Sequence, residues 1–274
     1  MSTALPLPPT TPWPWPPLLK ASAALHAGAA AAALVPGLWP WSLGAVAANH
    51  ALITAAGLWP RSGVLGPNVT RLPRTDGVAI TIDDGPDPEV TPCVLDQLDA
   101  AGARASFFLI GERAQARPAL VREILRRGHD VQNHSHAHRH HFSLFGPAAL
   151  ARDIERAQQL LADLCGRAPT AFRAPAGLRN PFLDPVLHRQ GLHLVSWTRR
   201  GYDTRRGQPQ RLLQRLTDGL AGGDILLLHD GHSAPAPDGR AVLLHVLPAL
   251  LQRCREAGLA TLTLREALPP RHAR

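Results

Sequence analysis

From residue 77 onward, β-branched and apolar runs alternate with amphipathic stretches, and this alternation narrows the fold more than any other property of the chain. Strand-like runs fall near 78–82, 104–110, 129–133, 170–173, 192–197, 224–229 and 259–263. Segments with helical periodicity, such as 118–127, 147–164 and 210–220, lie between them. Strand then helix, repeated, builds a parallel sheet that closes into a barrel or opens into a doubly wound layer. No G-x-G-x-x-G follows the first strand, which disfavours a dinucleotide-binding sheet. Seven such runs predict an α/β fold in the form of an incomplete barrel.

In parallel α/β folds the chemistry gathers at the carboxyl ends of the strands. The first strand ends in Thr81-Ile82-Asp83-Asp84-Gly85-Pro86, so two adjacent carboxylates stand where the chain breaks. Such a pair can divide its work, one acid binding a metal and the other accepting a proton. Later strand ends carry Asn133-His134-Ser135-His136-Ala137-His138, Arg173-Ala174-Pro175-Ala176-Gly177, Thr198-Arg199-Arg200-Gly201-Tyr202-Asp203 and His229-Asp230-Gly231-His232. In a barrel these converge on one rim. His134 and His138 are four apart, a spacing that puts both imidazoles on one side of a helical turn, where they can share a divalent cation with a carboxylate. His136, His140, His141 and His232 read as loop residues, and Asp230 as a brace for its loop.

Charge argues against nucleic acid as a partner. The formal net charge is +8, yet Lys20 is the only lysine and the arginines are scattered, without a basic tract interleaved with aromatics. Cys93, Cys165 and Cys254 are far apart and lack C-x-x-C spacing, so neither a disulfide framework nor a thiolate metal site is indicated.

Residues 1–61 form a different region. Between 21 and 60 there is no Asp, Glu, Lys or Arg, and Pro36-Gly37-Leu38-Trp39-Pro40-Trp41 breaks the stretch once. The expectation is a hydrophobic helical hairpin of two transmembrane helices, about 18–35 and 42–59, with Trp13, Trp15, Trp39, Trp41 and Trp59 as interfacial anchors. Lys20 before the pair and Arg61, Arg71 and Arg74 after it place both ends, and the domain that follows, on the cytoplasmic side of the membrane. Residues 62–76 read as a linker.

Four of the strand-end motifs together carry a family resemblance. Thr81–Pro86 resembles the T-F-D-D-G-P motif of the NodB-type polysaccharide deacetylases, carbohydrate esterase family 4. His134-Ser135-x-x-His138 is similar to that family's H-[S/T]-x-x-H, Arg173-x-Pro175 to its R-x-P, and Leu227-x-His229-Asp230 to its L-x-H-D, in the same order. The resemblance implies a distorted (β/α)7 barrel, the NodB homology fold, over 77–268. It also implies a metal-dependent hydrolase of carbon–nitrogen bonds that removes an acyl group, N-acetyl foremost, from a carbohydrate or a sugar-containing envelope precursor. Carried across residue by residue, Asp84, His134 and His138 match the metal ligands, Asp83 the general base, Arg173 the arginine that holds the base, and His229 the general acid. Asp203 falls where the family places the aspartate that orients the acid. Trp197 and Leu227 match the apolar wall of the acyl pocket, and the backbone N–H near Ala176 the donor to the oxyanion. Zinc is the expected ion, and cobalt, nickel, manganese or iron also suit the donor set.

The chain departs from the family pattern at Ile82, where a Phe is usual, and at Ala176 and Thr204, where aromatics that bind sugar rings are common. Together with a membrane hairpin, those losses point to a lipid-linked saccharide rather than a long glycan. Deformylation of a lipid-linked formamido sugar is the alternative within the class. A catalytically silent carbohydrate-binding membrane protein is the alternative outside it.

Overall fold

The structure, a computed structural model, describes residues 12–205 and 207–271. Two helices come first, α1 (Pro17–Ala33) and α2 (Trp39–Leu58). The strands are β1 (Gly77–Asp83), β2 (Ala105–Leu109), β3 (Asp130–Asn133), β4 (Ala171–Phe172), β5 (His193–Leu194), β6 (Arg199–Arg200), β7 (Ile225–His229) and β8 (Ala260–Thr261). Helices α3 (Val90–Ala100), α4 (Gly111–Ala116), α5 (Pro118–Arg126), α6 (Pro147–Cys165), α7 (Leu183–Arg189), α8 (Pro209–Thr217), α9 (Val242–Glu256) and α10 (Leu264–Ala267) connect and follow them.

The strands pair in the order β5-β4-β3-β2-β1-β7-β6, all parallel, with β8 joined to the start of β1. The sheet curls into a half-barrel instead of closing, a coarser form of the expected distorted barrel. Beyond the seven expected runs, Arg199–Arg200 forms a short edge strand of its own.

Strand β1 is buried at all seven positions, as a strand covered on both faces must be. Alternation then sorts its side chains. Val78, Ile80 and Ile82 pack outward in one core with Leu95 of α3 and Leu247 of α9. Ala79 packs inward with Phe108, Trp197 and Leu227. The same period points Thr81 and Asp83 inward. Register places Asp83 beside His229 of β7 and Thr81 beside Leu227, so the interior is built in layers with its polar layer at the strand ends.

Helices α1 and α2 pair with each other, but none of the described helices is long and apolar enough to cross a membrane. Helix α1 has 17 residues, about 26 Å at 1.5 Å per residue, against a hydrocarbon core of about 30 Å. Helix α2 has 20 residues, and Ser42, Asn49, His50 and several alanines dilute it. The seam between them is polar: Asn49 Nδ2 donates to Ser22 Oγ (2.8 Å), and His26 and His50 meet through their Nε2 atoms at 3.2 Å. The expected pair of transmembrane spans is therefore corrected to a short helical pair. Residues 1–11 of that segment lie outside the described residues. Its base is tied to the domain, where Trp13 Nε1 donates to Asp184 (2.7 Å), Arg179 N to the Gly57 carbonyl (3.1 Å) and Ser196 Oγ to the Pro60 carbonyl (2.6 Å).

Candidate active site

Eight of the ten site residues expected from sequence line one pocket of about 320 Å³ at the carboxyl end of the sheet: Asp83, Asp84, His134, His138, Ala176, Trp197, Leu227 and His229. The other two, Arg173 and Asp203, stand behind it, buried at 1% and 0% exposure. Five described non-glycine residues have positive φ, namely Asp84, Ser135, His138, Ala176 and Tyr202, and all lie in these strand-end loops. Left-handed backbone costs a non-glycine residue about 1–3 kcal/mol and persists where surrounding contacts impose it.

Asp83 ends β1 facing the interior, at 3% exposure. Arg173, just past β4, reaches across the barrel and donates from Nη1 to Asp83 Oδ1 at 2.6 Å. The guanidinium is held in turn by Thr81 Oγ1 (2.9 Å), the Val195 carbonyl (3.1 Å) and the Ser196 carbonyl (2.8 Å), and it lies 4.1 Å above the Phe108 ring. An ion pair so fixed holds the carboxylate in one orientation.

Asp84 turns the other way, in left-handed backbone at φ 75. Its Oδ1 is buried and accepts no hydrogen bond, yet His134 Nε2 and His138 Nε2 each lie 3.2 Å from it. His134 Nδ1 donates to the Arg173 carbonyl (2.8 Å), so a neutral His134, the form that would bind a cation, would turn its Nε2 lone pair toward Asp84. Burial works against the Asp84 charge, but His134 and His232 beside it hold the carboxyl far below the usual range. Burial likewise opposes charge on His134, and Asp83 and Asp84 outweigh it and raise that imidazole. His138 is pushed down to about 4, by burial and then by the charge of His134, and so offers a neutral lone pair. An orphaned carboxylate oxygen facing two imidazole nitrogens, in a site that favours added positive charge, fits a divalent cation.

His229 ends β7 opposite Asp83. Its Nδ1 donates to Asp203 Oδ1 (2.8 Å) and its backbone N–H to Asp203 Oδ2 (2.7 Å), so the buried aspartate fixes both ring and main chain. Burial alone would lower the His229 pKa, but the Asp203 charge raises it. With Nδ1 tied back, Nε2 is the nitrogen that can deliver a proton.

Two residues of this constellation were not expected. His232 donates from Nδ1 to Asp84 Oδ2 (2.8 Å), and Arg113 at the start of α4 donates to His232 Nε2 (3.2 Å). Arg113 follows the end of β2, the same kind of position that marked the other site residues. The strand-end rule extended to that strand would have found it. Asp230 braces its loop as expected: it accepts from Thr91 Oγ1 (2.5 Å), and burial pushes its carboxyl up to about 7.

Comparison with known proteins agrees with the geometry. The polysaccharide deacetylase family model matches residues 71–195. A peptidoglycan-N-acetylglucosamine deacetylase of Bacillus cereus is 32% identical over 197 residues, covering 71% of this chain and 89% of the relative. A chitooligosaccharide deacetylase of Azorhizobium caulinodans is 34% identical over 201 residues, covering 69% and 95%. A solved family 4 carbohydrate esterase from Streptomyces lividans, in complex with acetate, superimposes with a TM-score of 0.61 at 32% identity, covering 68% of this chain and 91% of that one. The chain belongs to the polysaccharide deacetylase family, hydrolases of carbon–nitrogen bonds.

Proposed function

We propose that this protein is a metal-dependent deacetylase that hydrolyses the N-acetyl group of an N-acetylglucosamine-containing saccharide. One observation carries the reading: Asp83, clamped by Arg173, and His229, clamped by Asp203, flank a single pocket that also holds Asp84, His134 and His138. The relatives that are named for acting on peptidoglycan or chitooligosaccharide support the class of substrate.

A divalent cation held by Asp84, His134 and His138 would supply Lewis acidity toward the acyl carbonyl and a more acidic water. Asp83 takes a proton from the attacking water as the new carbon–oxygen bond forms. The Ala176 backbone N–H is the expected donor to the developing oxyanion. The carbon–nitrogen bond then breaks, and His229 gives its proton to the departing nitrogen, because an unprotonated amide anion leaves poorly. The products are acetate and a free amine. Leu227 and Trp197, at 1% and 7% exposure, form the apolar wall that a small acyl group meets.

The proposal is tested by incubating metal-supplied protein with N-acetyl chitooligosaccharides and assaying acetate and formate. The expected result is acetate from wild type, reduced about 10²–10⁴-fold in Asp83→Asn. A catalytically silent binding protein would release neither acid, and formate release from a formamido sugar in place of acetate would reassign the acyl group.

A further inference from the structure

The two oxygens of Asp84 have different surroundings. Oδ1 faces His134 and His138, while Oδ2 accepts from His232 Nδ1 at 2.8 Å. The far side of that ring is also engaged, since Arg113 Nη2 lies 3.2 Å from His232 Nε2. A guanidinium can only donate, so Nε2 is the acceptor and the ring proton sits on Nδ1, aimed at Asp84. Arg113 is fixed as well: its Nη1 donates to the backbone carbonyls of Asp84 (2.8 Å) and Gly231 (3.0 Å). Gly231 suits this position because a Cβ there would collide with Arg113 Nη1 and the Asp84 carbonyl. Loops that follow β1, β2 and β7 are thus joined through one arginine and one imidazole. The His232 side chain is half exposed, and besides these two hydrogen bonds its ring lies 6.0 Å from that of His138, centroid to centroid.

We propose that His232 is a positioning residue for the cation ligand Asp84, with Arg113 selecting the tautomer that lets it act. The Nδ1–H holds Oδ2 and so sets the carboxylate rotation that turns Oδ1 toward His134 and His138. Partners of this kind typically account for 10–100-fold in metal affinity. The inference rests on the reading of Asp84, His134 and His138 as the cation site.

The test is Zn²⁺ affinity of the full chain, measured by competition with a chromophoric chelator, with no substrate present. His232→Asn and His232→Gln carry the same amide one methylene apart. Asn can place its N–H where Nδ1–H stood, and Gln places it near the former Nε2. Asn is expected to bind Zn²⁺ within about threefold of wild type, whereas Gln and His232→Ala weaken binding 10–100-fold. Arg113→Leu, which frees the tautomer, is expected to fall between them. Equal affinities for the Asn and Gln variants, or wild-type affinity in His232→Ala, would overturn the proposal. Asn failing as badly as Ala would also overturn it, since an N–H donor at the Nδ1 position would then not be what the site needs. Loss of Zn²⁺ binding in His134→Ala shows separately that the cation site is where it is placed. If that variant binds as wild type does, the underlying reading of the site fails instead.

Discussion

Arg173 is the side chain whose removal has the most calculable consequence. It is 1% exposed and donates to Asp83 at 2.6 Å, to Thr81, and to the carbonyls of Val195 and Ser196. Arg173→Met keeps the apolar stem but removes every donor and the guanidinium that lies over Phe108. Asp83, at 3% exposure, then holds a buried charge without its cation. Breaking a buried pair from one side costs about 3–5 kcal/mol, and each carbonyl left unpaired adds about 1 kcal/mol. The pocket admits water to Asp83 and softens the penalty, so the expected loss is about 4 kcal/mol, a large share of the ~5–15 kcal/mol that holds a typical domain. Asp83→Asn alone also destabilises, because it leaves Arg173 as a buried cation. The double variant removes both charges and should be more stable than the sum of the singles by about 2 kcal/mol. Urea unfolding of chelated protein, followed by tryptophan fluorescence, reads all of this. A single variant within about 1 kcal/mol of wild type, or strict additivity in the double, would refute the reasoning.

Asp203→Asn should lower kcat about 10²–10³-fold, within the range of general acid catalysis. It should also move the alkaline limb of the rate profile to lower pH, because Asp203 is what raises the His229 pKa. A limb that stays in place would show that His229 is not the acid. Leu227→Ala empties part of the pocket wall and should cost about 2–5 kcal/mol in unfolding experiments. The same variant should raise the N-propionyl to N-acetyl rate ratio, and an unchanged ratio would place the acyl group elsewhere.

What was legible in the sequence follows from how strongly local pattern and burial coincide. The run 77–83 reads as a strand because it is buried on both faces, and the same period that hides Ile80 and Ile82 delivers Asp83 to the interior. Helices at 118–126 and 147–165 open on proline at their first position and lie within a residue of the expected ends. The two-residue edge strand Arg199–Arg200 leaves no period to read. His232 was illegible because its partner, Asp84 Oδ2, depends on a carboxylate rotation, a left-handed φ and an arginine from another strand end. The N-terminal segment misled for a different reason. Absence of charge is not hydrophobicity: alanine, glycine and the polar seam of Ser22, Asn49, His26 and His50 leave helices too short or too weakly apolar to span a bilayer.

The central claim is that Asp83 and Asp84 hold separate roles, base and cation ligand, although they are neighbours in the chain. It is tested most directly by measuring bound metal and acetate release together, in one Zn²⁺ titration of chelated wild type, Asp83→Asn and Asp84→Ala. The account predicts that wild-type acetate release rises with added metal and saturates at about one ion per chain. Asp83→Asn should bind that ion and release acetate about 10²–10⁴-fold more slowly, and Asp84→Ala should fail to retain it. Undiminished acetate release from chelated wild type, or metal lost in Asp83→Asn and kept in Asp84→Ala, would contradict it.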